Sequence, residues 1–130
     1  MRDFKPGFRL SFTDIIVLVI GLSGAIFFYN INPLVSIMVT FVLAHFFLFC
    51  NVIRISRIPE LIWAAIFLIL VGSSLIFNKS VLAVAFSISL VSTLTLIILE
   101  LKKPSYHGIL WQKINPSLLQ WFEQNRSKLP

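Results

Sequence analysis

A chain of 130 residues that is 58% hydrophobic and only 12% charged cannot enclose its apolar side chains behind a water-facing surface. Soluble domains carry roughly 45–50% apolar residues, and a mean hydropathy of +0.93 points instead to a bilayer as the missing apolar solvent for a single small domain. The formal charge of +6 raises nucleic acid as a partner, but the basic residues sit at the chain ends and in one short connection, so no nucleic-acid partner is expected. The lone Cys50 excludes an internal disulfide and any multi-cysteine metal site.

Apolar runs of about 18 residues or more are the signature of spanning helices. The first predicted span covers residues 12–29, with Ser11 and Asp14 at capping-box spacing in front of it. Asn30, Ile31, Asn32 and Pro33 form a tight turn. The second span runs over 34–53, interrupted only by His45, Cys50, Asn51 and small hydroxyl residues. Arg54 to Pro59 reads as a polar connection, with Pro59 and Glu60 suited to a helix start. The third span is 60–77, a turn at Asn78, Lys79 and Ser80 follows, and the fourth is 81–100. The expected fold is thus all-α: an integral membrane four-helix bundle with short loops over residues 1–103, followed by a tail at 104–130. An offset of 48 residues aligns Gly24 with Gly72, Tyr29 with Phe77, Asn30 with Asn78, Leu34 with Leu82 and Arg54 with Lys102, the trace of a duplicated hairpin.

Ten of the eleven Lys and Arg residues fall on one side of these spans. Arg2, Lys5 and Arg9 precede the first, Arg54 and Arg57 join the second to the third, and Lys102, Lys103, Lys113, Arg126 and Lys128 follow the fourth; only Lys79 lies opposite. The positive-inside rule makes both termini cytoplasmic, and the expected location is the bacterial inner membrane. Single-sided charge also argues against insertion in both orientations. A cleavable signal peptide is disfavoured, because the apolar run continues through Ile26, Phe27 and Phe28, beyond a signal core of about 7–15 residues.

The tail is too polar to span. Asn115 and Pro116 are expected to open a short amphipathic helix with Leu118, Leu119 and Phe122 near one face, and Trp111 and Trp121 belong at headgroup level.

His45 is the one ionisable residue near the predicted midplane, where a polar side chain is costly. It is the candidate ligand for haem or a pigment and the candidate proton relay. The simpler expectation is a neutral imidazole bonded within the helices, with Ser92 and Thr93 at matching depth. A haem held by two histidines of one chain is excluded, because His107 lies beyond the membrane. Small residues recur four apart: Ser36, Thr40 and Ala44 on the second span, Ala85, Ser89 and Thr93 on the fourth, and Gly21 and Ala25 on the first. Such stripes let helices pack closely and are not polar enough to line a pore.

Asp14, Glu60 and Glu100 all sit at helix ends, and no two acids are paired as a buried acid and base, so no enzymatic activity is expected. Glu100 has the wrong sign for its helix end, with Lys103 three residues on to offset it. Cys50 has no histidine near it in sequence and reads as a packed residue at the membrane edge. Arg54, Arg57, Lys102 and Lys103 are candidate contacts for lipid phosphates or an acidic partner, alongside their orienting role. No cofactor is required by these patterns. The expected function is that of a small multi-pass accessory or assembly subunit, in contact with lipid and with other membrane subunits or a second copy of itself. A small oligomeric transporter or channel working through His45, and a haem- or pigment-binding subunit, are the alternatives. Thirteen Phe residues, including Phe41, Phe46, Phe47 and Phe49 on the second span, are more aromatic surface than a small bundle can turn inward.

Overall fold

The computed structural model describes residues 4–77 and 80–128. The expected turn at Asn78 and Lys79 lies outside the described residues, as does the charge at Arg2. Everything regular among the described residues is helical, and the chain is an integral, multi-pass membrane protein with four helices long and apolar enough to cross a bilayer. These are α1 (Phe12–Tyr29), α2 (Pro33–Phe47) prolonged by a π-helical stretch (Leu48–Ile53), α3 (Arg57–Phe77) and α4 (Ser80–Leu101). Two short helices follow, α5 (Trp111–Ile114) and α6 (Leu118–Asn125), with a final 3-10 turn at Arg126–Lys128. The chain packs as two compact units. One holds the residues up to Arg54 together with His107–Leu110; the other holds Ile55–Tyr106 and the residues from Trp111 onward.

In the first unit α1 begins at a complete capping box. The Asp14 amide donates to Ser11 Oγ at 3.2 Å and the Ser11 amide donates to Asp14 Oδ2 at 2.7 Å, which satisfies amides that lipid could not. Asn32 caps α2 by accepting from the Leu34 amide at 3.1 Å, and Pro33 occupies the first turn, where its missing N–H costs nothing. The hairpin closes on small residues. Ser36 Oγ donates to the Ala25 carbonyl across the helix pair at 2.7 Å. A Cβ on Gly21 would lie 2.5 Å from Leu43 Cδ1, so the glycine is what admits the leucine.

In the second unit α3 starts a turn earlier than the expected Glu60. Proline is tolerated in the first helical turn, so Pro59 does not delay the start, and the polar connection shortens accordingly. The contact with α4 is built on the stripe Ala85, Ser89 and Thr93, which are 0%, 0% and 5% exposed. Trp63 lies against it, its indole N–H donating to Thr93 Oγ1 at 2.9 Å and to the Ser89 carbonyl at 3.1 Å. Phe67 stacks on Trp63 with ring planes 3° apart, and Phe86 meets Phe67 edge-on. The hydroxyls of Ser89 and Thr93 each donate to the carbonyl one turn back, which removes their polarity from the lipid-facing problem.

The two hairpins end their helices at matching positions in sequence. Tyr29 and Phe77 end α1 and α3, Ile53 and Leu101 end the second and fourth spans, and each pair is separated by the same offset that aligns the halves in sequence.

Bulk on the buried stripe should separate α3 from α4. Ser89→Leu is expected to lower stability by about 1–3 kcal/mol, the range for overpacking. Leu94→Ile, at a side chain 61% exposed, should change it by less than about 0.5 kcal/mol. Thermal unfolding in detergent measures both, and equal tolerance at the two positions would show that the stripe is not a close contact.

Candidate functional site

The polar residues of the first unit converge where α2 ends. Over Leu48–Ile53 the helix widens to π geometry, and Arg54 then turns into the left-handed region at φ 59°, its amide donating back to the Phe49 carbonyl. The last carbonyls of a helix have no partner within it. Here two are satisfied from elsewhere in the chain: Asn51 O accepts from the Arg9 amide at 3.1 Å, and Val52 O accepts from the Ile109 amide at 2.8 Å. Gly7, at φ 104°, presents its amide to the His107 carbonyl at 2.8 Å, a conformation that suits glycine. The segment before α1 and the segment 107–110 therefore both dock on the end of α2.

Asn51 joins these pieces. It is 1% exposed, and its side-chain amide donates to the Arg9 carbonyl at 2.6 Å and to Asp14 Oδ2 at 2.8 Å. Asp14 thus serves the α1 cap and the α2 end together. Among the described residues Asn51 Oδ1 is a buried acceptor without a hydrogen-bond donor. Nothing in the spacing of the second span marks Asn51 for this role; it reads there as one more polar interruption.

Arg54 donates from Nη1 to the Lys5 carbonyl at 2.7 Å. Burial, and then the neighbouring charge of Arg9, lower its pKa from the usual arginine value. Arg57 stands exposed at the start of α3, and Cys50 is half-buried in the π-helical stretch.

His45 is 7% exposed and sits in an aromatic column on its own helix, with its ring 4.2 Å from Phe41 and 5.9 Å from Phe49. Nδ1 is 2.7 Å from the Phe41 carbonyl. A carbonyl oxygen only accepts, so Nδ1 carries the proton. The hydroxyls expected at its depth are engaged on their own helix: Ser92 Oγ donates to Ile88 O, and Thr93 Oγ1 donates to Ser89 O while accepting from Trp63. Among the described residues no three His, Cys, Asp or Glu side chains are grouped to hold a metal ion. A cavity of about 270 Å³ opens between α1 and α2 toward their shared turn, lined by Ala25, Tyr29, Asn30, Ser36 and Thr40 among others; His45 is not part of it.

The small-residue stripes divide by environment. Ala85, Ser89 and Thr93 are buried, as are Ser36 and Ala25, whereas Thr40 and Ala44 are exposed. Thr40 Oγ1 donates to the Ser36 carbonyl.

In the second unit Asn115 plays a part close to that of Asn51. Its amide donates to the Pro104 carbonyl at 2.6 Å and to the Tyr106 carbonyl at 3.2 Å, tying the tail to the residues that follow α4. Asn115 therefore anchors the tail rather than opening a helix, and α6 begins at Leu118 after an N-cap at Ser117. Leu118 is fully buried, Trp121, Phe122 and Asn125 are half-buried, and Leu119 faces outward with Gln120, Glu123 and Gln124. Trp111 is half-buried at the start of α5. Lys103 Nζ bonds Glu100 Oε2 at 2.6 Å, the pairing that offsets a carboxylate at a helix C-terminus, while Lys102 is exposed. Burial, with the Glu100 charge second, raises the pKa of the Tyr106 phenol.

Removing the Asn51 amide takes the donor from the Arg9 carbonyl and one of two donors from Asp14 Oδ2. Asn51→Ala is expected to cost about 1–3 kcal/mol, the penalty for unpaired buried polar groups. Hydrogen exchange at the Arg9 amide should accelerate while the Leu34 amide is unchanged. Unaltered protection at Arg9 would show that Asn51 does not hold the amino-terminal segment.

Against this geometry, comparison with protein-family models, with curated proteins and with solved structures finds no match for the chain.

Proposed function

We propose that this protein is a small accessory or assembly subunit that packs against a larger membrane complex. Residues 1–103 form its membrane domain, residues 104–130 a cytoplasmic tail, and both termini face the cytoplasm, in a bacterial inner membrane. The observation that carries the reading is the outer surface of the first hairpin. Ala25 is the one buried residue in the whole of α1, while Val19, Ile20, Ile26 and Phe27 are each more than half exposed. Beside them on α2, Thr40 and Ala44 leave a shallow, small-residue strip of the kind that lets another spanning helix approach closely. The orientation rests on the single-sided distribution of Lys and Arg. The aromatic packing of His45, with Nδ1 bonded to its own helix, supports a structural imidazole over a working one.

The decisive experiment is purification of the intact protein from its native membrane in mild detergent, followed by an absorption spectrum. Larger integral membrane subunits are expected to accompany it in fixed ratio, without a Soret or pigment band. His45→Gln should preserve both results, because glutamine retains hydrogen bonding and interhelical bonds average only about 0.6 kcal/mol. A bound chromophore lost in His45→Gln would replace this reading with a cofactor subunit, and a bare homo-oligomer would replace it with a transporter.

Orientation has its own test. Reporter fusions after Lys103 should behave as cytoplasmic, and a fusion within Asn30–Asn32 should behave as exported. The reverse pattern would overturn the assignment of the termini.

A further inference from the structure

We propose that Arg9 and Arg54, with Lys5 beside them, form a binding site for the phosphate of an anionic lipid at the membrane face where α1 begins and α2 ends. The proposal is independent of the accessory role and of which leaflet that face meets.

Three hydrogen bonds bring these residues together. The backbone of Arg9 is held on both sides by Asn51, its amide on the Asn51 carbonyl and its own carbonyl on the Asn51 side-chain amide. Arg54, three residues on, is held by its guanidinium on the Lys5 carbonyl. The left-handed turn at Arg54 ends the span, so its side chain leaves the helix at headgroup depth. Arg9 lies three residues before Phe12, the first residue of α1.

Among the described residues of this unit the one carboxylate is Asp14, and it is already committed. Asp14 Oδ2 accepts from the Ser11 amide and from Asn51. Among the described residues neither Arg9 nor Arg54 is in a salt bridge; the Arg9 charge is felt by Asp14, whose carboxylate is already taken up by Ser11 and Asn51. After burial, the charge of Arg9 is what lowers the Arg54 pKa, and an anion bound by both residues would offset that repulsion. One N–H of Arg54 is used on Lys5; a guanidinium has five, in a planar fork that matches phosphate oxygens. A lipid is favoured over free phosphate because Phe8 and Leu10, 54% and 47% exposed, alternate with Arg9 and give acyl chains an apolar surface beside the charges.

The test uses the full chain, delipidated in neutral detergent, with thermal unfolding followed as phosphatidylglycerol or phosphatidylcholine is added in mixed micelles. Phosphatidylglycerol is expected to raise the unfolding temperature at lower concentration than phosphatidylcholine. Arg9→Gln should move the phosphatidylglycerol midpoint up about five-fold, and Arg9→Gln with Arg54→Gln further, since each basic residue near an anionic surface contributes about that factor. The single variant leaves the Arg54–Lys5 bond in place, so it decides the matter even if the double variant fails to fold. Arg126→Gln with Lys128→Gln, in the tail, should leave the midpoint unchanged. An unmoved midpoint in Arg9→Gln, an equal loss in the tail variant, or the same stabilisation by millimolar inorganic phosphate would each overturn the proposal.

Discussion

Lipid offers no partner for a peptide group, and each spanning helix leaves several amides and carbonyls unpaired at its ends. Most of what is specific to this chain answers that constraint at the headgroup boundary. Ser11 and Asp14 close the start of α1, Asn32 the start of α2, and the π-helical end of α2 takes its partners from the segments around Arg9 and Ile109. Asn51 is the keystone because one amide serves both helices: it fixes the carbonyl of Arg9 and the same carboxylate that caps α1. A side chain with two donors on one nitrogen is suited to bridging two acceptors, which a hydroxyl or a carboxylate is not.

The π-helical stretch has a role within this arrangement. An ordinary α-helical end at this point would turn the terminal carbonyls through a different angle. The wider turn, followed by left-handed Arg54, sends the chain away so that the Asn51 and Val52 carbonyls remain open to Arg9 and Ile109. A non-glycine residue in that region costs roughly 1–2 kcal/mol. The Lys5 carbonyl bond of Arg54 and the docked backbone of two segments offset it. Leu110, at φ 56°, ends the other docked segment and carries the same kind of strain.

The spans are legible in the sequence because length and hydropathy alone determine them, and the ends of α1 and α2 because Ser-x-x-Asp and Asn-Pro are local signals. What could not be read is which face of each helix is covered. In water the polar side of an amphipathic helix marks the exposed face, but in lipid the core and the solvent are both apolar and that contrast disappears. Spacing put Thr40 and Ala44 on one face with Ser36 just as it put Ser89 and Thr93 with Ala85, yet one stripe is buried throughout and the other only at Ser36. Trp63 escaped notice for the same reason, being one more apolar residue in an apolar run until Ser89 and Thr93 are set opposite its indole. Asn51 and Asn115 were hidden differently, since their partners are backbone groups far away in sequence that carry no residue signature.

The docking of Ile109 on Val52 has a consequence for the order in which the protein can be made. A multi-pass chain enters the bilayer from its amino terminus as it is synthesised, so α1 and α2 are in place before the residues that complete their ends exist. Until α3 and α4 have followed and residues 107–110 have left the ribosome, the Val52 carbonyl and the Gly7 amide can be served only by water at the membrane surface. A chain that stalls within α4 therefore leaves the end of α2 without the Ile109 amide that closes it.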